Sequence, residues 1–194
     1  SYSAELTSQA LMGTPVRLLK RNRGWLMVQT PDRYIGWVDS DAVADMTFDD
    51  YLEWKSSDRI FYKVKTGDIF GDSEKKKVIS DVVAGCILRT SGISGKDYDV
   101  ILPDGRTGFI PAANAMNLDD LDPDNLLTRE NLISCAESFT GIPYLWGGTS
   151  VKGFDCSGFV KTVYYLSGII LARDASLQFR YGAETDTVNI PGSL

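Results

Sequence analysis

Of the three cysteines in this chain, only Cys156 has surroundings suited to nucleophilic chemistry. It stands in Asp155-Cys156-Ser157-Gly158-Phe159, and the apolar run that follows continues through Val160, Val163 and Tyr164. That pattern predicts a helix from Cys156 to about Leu166, stopped by Gly168, with the thiol in its first turn. A thiolate is the attacking species, and a helix N-terminus favours the anion. The first N–H groups of a helix lack intrahelical partners, so the same turn offers a place for an oxyanion. Ser157 and Gly158 are small enough to let a substrate carbonyl approach. Asp155 opposes a thiolate by charge, so its carboxylate is expected to face a substrate amine or a backbone donor. Trp146, beside Gly147-Gly148, is either a pocket wall or a core residue. Cys86 and Cys135 lie among apolar residues and are expected to be buried and inert. An odd count of cysteines makes no disulfide framework.

The elements that hold this thiol begin with an internal repeat. An offset of 72 residues carries Gly13 to Gly85, Val28 to Val100, Pro31 to Pro103, Asp32 to Asp104, Gly36 to Gly108, Trp37 to Phe109 and Val38 to Ile110. Each copy reads as short β-runs separated by Gly, Asn, Asp and Pro turns, which predicts hairpins closing into a small barrel. Between the copies Thr47 caps a short predicted helix. Asp49 and Asp50 lie in its first turn, and Phe48, Tyr51, Leu52 and Trp54 on a face expected to pack between the barrels. Residues 118–125, acidic and Pro-bearing, read as a linker. Thr128 then caps a helix from Arg129 to about Phe139, with Leu132, Ile133, Ala136 and Phe139 as its buried stripe and Gly141 as its stop.

Bulk properties exclude several classes. Across 194 residues, 20 basic and 26 acidic side chains give a net charge of −6. No basic stripe suits a phosphate backbone, so no nucleic-acid partner is expected. Lys75-Lys76-Lys77 reads as a solvated hairpin tip. No apolar run approaches the roughly 20 residues of a membrane-spanning helix. The chain opens at Ser1 without a signal-peptide pattern and is expected to be a mature or trimmed form. No metal or cofactor is implied.

Two resemblances follow from these residues. The glycine, aromatic and Pro-Asp order over residues 4–45 and 58–117 resembles the bacterial SH3-like domain. The blocks Gly141-Ile-Pro-Tyr-Leu-Trp-Gly-Gly, Gly153-Phe-Asp-Cys-Ser-Gly-Phe and Leu171-Ala-Arg-Asp-Ala-Ser-Leu-Gln178 resemble the NlpC-type cell-wall cysteine peptidases. The implied fold is mixed α+β: two small SH3-like β-barrels, then the N-terminal helical part of a papain-like cysteine peptidase domain. The implied division is 1–45, a connector helix at 46–57, 58–117, a linker at 118–125, and an incomplete peptidase portion at 126–194. The resemblance implies hydrolysis of peptidoglycan stem peptides, L-Ala-γ-D-Glu-diamino acid, at the γ-D-glutamyl–diamino acid bond, in the cell envelope, periplasm or medium. It makes Cys156 the nucleophile, with Asp155, Ser157, Trp146, Tyr34 and Glu5 lining the substrate's place. Arg173 and Asp174 read as a structural pair. Ala172 stands where the family usually has proline.

A cysteine peptidase needs an imidazole to take the thiol proton and return it to the leaving amine. In the family a histidine follows on a downstream strand, and this chain has none. Three explanations stay open: a longer polypeptide carrying the histidine, which is the favoured one, a second polypeptide carrying it, or a relative that binds without turnover. An acyltransferase using the same thiol is a further reading.

Overall fold

The computed structural model describes residues 5–182. The expected continuation of the catalytic portion through 183–194 lies outside the described residues. The repeat is present in the backbone at its sequence offset. In the first copy β1 (Arg17–Asn22), β2 (Trp25–Gln29) and β3 (Ile35–Asp39) form an antiparallel meander. After α1 (Phe48–Ser56) come β4 (Arg59–Tyr62), β5 (Thr66–Phe70), β6 (Val78–Val83), β7 (Ile87–Ser94), β8 (Asp97–Ile101), β9 (Thr107–Pro111) and β10 (Ala115–Asn117). Strands β7, β8 and β9 repeat β1, β2 and β3. Leu26 faces Val38 as Tyr98 faces Ile110, and the bulge at Leu18/Lys20 returns at Thr90/Gly92. A bulge kept at the same register position marks one folding pattern used twice.

The copies differ in how they are closed. In the second, β4 pairs with β7 and β5 with β9, within a seven-stranded sheet ordered β10-β4-β7-β8-β9-β5-β6. Ile60, Tyr62, Ile69, Leu88, Val100 and Ile110 fill its core. The first copy, expected as a barrel, is a three-stranded sheet among the described residues, without counterparts of β4 and β5. Its inner residues Leu26 and Val28 are buried, but they border a cleft of ≈ 1610 Å³ that also touches Leu102 of the second copy.

The connector helix has the expected cap. Thr47 accepts from the Asp50 N–H and Asp50 from the Thr47 N–H, a complete capping box. Its apolar face is only partly covered: Tyr51 and Trp54 are half-buried, whereas Leu52 and Phe48 are exposed, Phe48 by 72%, and no residue of α1 is buried. Phe48, Tyr51 and Trp54 border the same cleft as the first copy. The Lys75–Lys77 tip joins β5 to β6 and is exposed, as expected. Residues 118–125 are not a plain linker. They hold a 3₁₀ turn at Leu118–Asp120 and the start of α2 (Pro123–Leu126). Asp122 caps α2 and Pro123 occupies its first position, the arrangement helix starts favour.

The last third packs α3 (Arg129–Ser138) on α4 (Cys156–Tyr165) around Phe139, Phe154 and Val163. Leu132 and Ala136 join that core, but Ile133 is exposed. One residue along a helix is ~100° around it, and α3 is covered on one side only among the described residues. A two-residue hairpin, β11 (Thr149–Ser150) and β12 (Gly153–Phe154), precedes α4, and α5 (Ala175–Tyr181) follows it.

Candidate active site

The Trp-Gly-Gly loop and the cysteine turn lie side by side because short backbone bonds lace them. Leu145 N–H donates to Phe154 O (2.9 Å), Phe154 N–H to Pro143 O (3.2 Å) and Asp155 N–H to Gly148 O (3.1 Å). Gly147 is at φ +79°, and a Cβ there would meet the Leu6 carbonyl oxygen at 2.4 Å. Only glycine fits a left-handed position against another backbone in this way.

Cys156 is exposed at the N-terminus of α4. Asp155 caps the helix: its Oδ1 accepts from the Gly158 N–H at 2.7 Å. Its Oδ2 accepts from the Gly147 N–H at 3.0 Å and from Arg173 Nη2 at 2.5 Å. Burial pushes the Asp155 carboxyl up. Arg173, with the Gly158 and Gly147 N–H groups, more than offsets this and holds it below the usual carboxylate range. The Cys156 and Ser157 N–H groups have no acceptor among the described residues. They stand where an oxyanion would need donors.

Asp155, Ser157 and Trp146 are brought together with Cys156. Asp155 and Ser157 are buried in the turn, whereas Trp146 is 58% exposed. Glu5 is exposed and precedes Leu6, whose carbonyl abuts Gly147. Tyr34 lies half-buried in the first copy, on the lining of the large cleft, and Cys156 is not on that lining. The Tyr34 turn is nevertheless tied to α4, because Lys161 Nζ lies 2.8 Å from Asp32 Oδ2. The expected Arg173–Asp174 pair is not formed. Arg173 pairs with Asp155, and Asp174 occupies the N-cap position of α5. Arg173 turns inward because Asp155 is a buried carboxylate that requires a counter-charge.

The other thiols are unsuited to attack. Burial pushes Cys135 up to about 11 and raises Cys86 as well. Sequence reasoning missed Ser8, Gln9, Lys161 and Gln178. Gln9 Oε1 accepts from the Thr149 N–H at 2.9 Å, and Gln178 Nε2 donates to Ser157 O at 3.1 Å. Ser8, Gln9 and Gln178 are polar residues in segments without a periodic pattern, Lys161 is a polar position of the predicted α4 helix, and only their long-range partners distinguish them. On α4, Tyr165 donates to Gly85 O at 3.0 Å and so docks the helix on the second copy.

Comparison with known proteins places these features. Residues 1–43 match the bacterial dipeptidyl-peptidase SH3 domain, and residues 141–191 match the NlpC/P60 family. A gamma-D-glutamyl-L-lysine dipeptidyl-peptidase of Bacillus cereus (strain ATCC 10987 / NRS 248) is 29% identical over 192 residues, covering 94% of this chain. Dipeptidyl-peptidase 6 of Lysinibacillus sphaericus is 29% identical over 184 residues, covering 90% of it. The chain spans 56% and 66% of those relatives' lengths. The crystal structure of an NlpC/P60 family protein from Bacillus cereus ATCC 10987 has the same fold, with a TM-score of 0.80 at 24% identity over 93% of this chain and 61% of that one. The cysteine turn built on Gly147, Asp155 and α4 thus falls inside the segment that matches the NlpC/P60 family, behind an N-terminal segment that matches the bacterial dipeptidyl-peptidase SH3 domain.

Proposed function

We propose that this chain carries the nucleophile half of a cysteine peptidase that hydrolyses peptidoglycan stem peptides at the γ-D-glutamyl–diamino acid bond. The observation that carries the reading is Cys156, exposed at the start of a capped helix, beside two free N–H groups and within the NlpC/P60 match. The names of the two relatives, both dipeptidyl-peptidases, support the substrate class. The Cys156 thiolate attacks the γ-amide carbonyl. The developing oxyanion is held by the Cys156 and Ser157 N–H groups. The C–N bond then breaks, the amine leaves with a proton, and water hydrolyses the thioester. The base is a histidine supplied by polypeptide beyond these 194 residues, which contain none. Asp155 and Ser157 form the floor of the site, Trp146 a wall, and Glu5 and Tyr34 the end that meets the peptide's free amine.

In this reading 1–45 and 58–117 are two SH3-like units joined by 46–57. Residues 118–125 link them to 126–194, which begin a papain-like peptidase domain that works in the cell envelope, periplasm or medium. No helix of the described residues is long and apolar enough to cross a membrane. The absence of histidine favours one second reading, a peptidoglycan-peptide binder without turnover. Product analysis on the full-length polypeptide with L-Ala-γ-D-Glu-L-Lys separates them. The peptidase releases L-Ala-γ-D-Glu and free lysine. A binder returns the peptide intact, and an acyltransferase gives little free acid.

A further inference from the structure

Arg173 leaves α4 behind in sequence and folds back to its first turn. Its side chain is 3% exposed, buried with that of Asp155. Besides its two contacts with Asp155, its Nη1 donates to Ser157 Oγ at 3.0 Å and its Nε to Ser8 Oγ at 3.2 Å. One guanidinium therefore holds the residue before Cys156, the residue after it, and the N-terminal segment. That segment is itself fastened to the site, by Gln9 on Thr149 and by the Leu6 carbonyl against Gly147. The planar fork of an arginine can serve three directions at once, which a lysine ammonium cannot do in the same geometry. Charge points the same way. Asp155 adjoins the thiol, and an uncompensated carboxylate there would oppose a thiolate.

We propose that Arg173 is a positioning residue for Cys156, fixing and neutralising the Asp155 cap of α4 and coupling that turn to the N-terminal segment through Ser8. The proposal rests on Cys156 being the nucleophile, and its test needs no substrate and no base. The rate of Cys156 alkylation by iodoacetamide is read by peptide mapping in the full-length polypeptide and its variants, with thermal melts as the check on folding. Arg173→Gln is expected to slow alkylation ~10-fold, through the unpaired carboxylate it leaves. Arg173→Lys, which restores charge without the fork, should recover it to within ~3-fold of the parent, and Ser8→Ala should slow it ~2-fold. A folded Arg173→Gln that alkylates at the parent rate overturns the proposal, as does an Arg173→Lys no faster than Arg173→Gln. If Arg173→Gln does not melt cooperatively, Ser8→Ala decides: a slower rate supports the proposal and an unchanged one overturns it. The nucleophile reading fails by a different result, a parent Cys156 no more reactive than cysteine in the denatured chain.

Discussion

Lys161 on α4 pairs with Asp32 of the first copy at 2.8 Å, whereas the equivalent Asp104 of the second copy pairs within its own turn with Arg106 at 2.6 Å. Tyr34 occupies the place that Arg106 holds in the second copy. With tyrosine there, Asp32 finds its cation on α4, the helix that starts at Cys156. The repeat thus preserved the turn and changed its partner. The Asp32 side chain is 2% exposed and that of Lys161 18%, so the pair is nearly dry.

Removing one partner of a buried pair leaves an uncompensated charge. Lys161→Met should therefore lower stability by about 3 kcal/mol. The double variant Lys161→Met/Asp32→Leu should recover most of that loss. Urea denaturation of the single and double variants measures both. Equal midpoints for parent and Lys161→Met would show that the contact contributes nothing.

Acid should loosen the same ties. Burial raises the Asp32 carboxyl, but Lys161 and the Thr30 hydroxyl outweigh it, and its net shift, like that of Asp155, is downward. Each contribution is in full force above the unfolded carboxyl's value of about 3.9 and fades as the pH falls through the lower folded one. Denaturation midpoints taken from pH ~6 down to ~2 should decline below about pH 4, and Asp32→Asn should flatten the decline. A variant with the parent's full acid sensitivity would assign that sensitivity to other groups.

Much of this architecture is legible in the sequence, and particular residues show why the rest is not. The 72-residue offset was visible as paired glycines and Pro-Asp turns, and the strand registers follow it. The Thr47, Thr128 and Asp155 caps lie at helix starts that local chemistry specifies. Asp122-Pro123 carried an equally local start signal, obscured by its acidic, linker-like context. Strands β4 and β5 were not singled out in the sequence, because residues 59–70 have no counterpart at the 72-residue offset, and their pairing with β7 and β9 is what the first copy lacks. Arg173 could not be placed. Asp174 is its neighbour in sequence, but Asp155 is the buried carboxylate, and burial is a property of the assembled fold.

Gly147 offers a test of how the N-terminal segment is seated. Gly147→Ala forces a side chain into the Leu6 carbonyl at a left-handed backbone position. A loss of about 1–3 kcal/mol is expected. Proteolysis should also become faster at the N-terminal segment, which the substitution pushes away. Protection identical to the parent's, read by limited digestion and mass spectrometry, would place the segment elsewhere.

Thiol reactivity should follow burial. At pH ~8, iodoacetamide should modify Cys156 first, while Cys135, pushed up to about 11, and Cys86 stay intact until the chain is denatured. Early labelling of Cys86 would contradict the packed core around it.

The most direct measurement couples that modification to turnover. Full-length polypeptide is alkylated to graded extents, and Cys156 occupancy and lysine release from L-Ala-γ-D-Glu-L-Lys are measured on the same samples. Activity should fall in proportion to Cys156 alkylation and vanish at one equivalent. Undiminished release with Cys156 fully alkylated would contradict its role as the nucleophile.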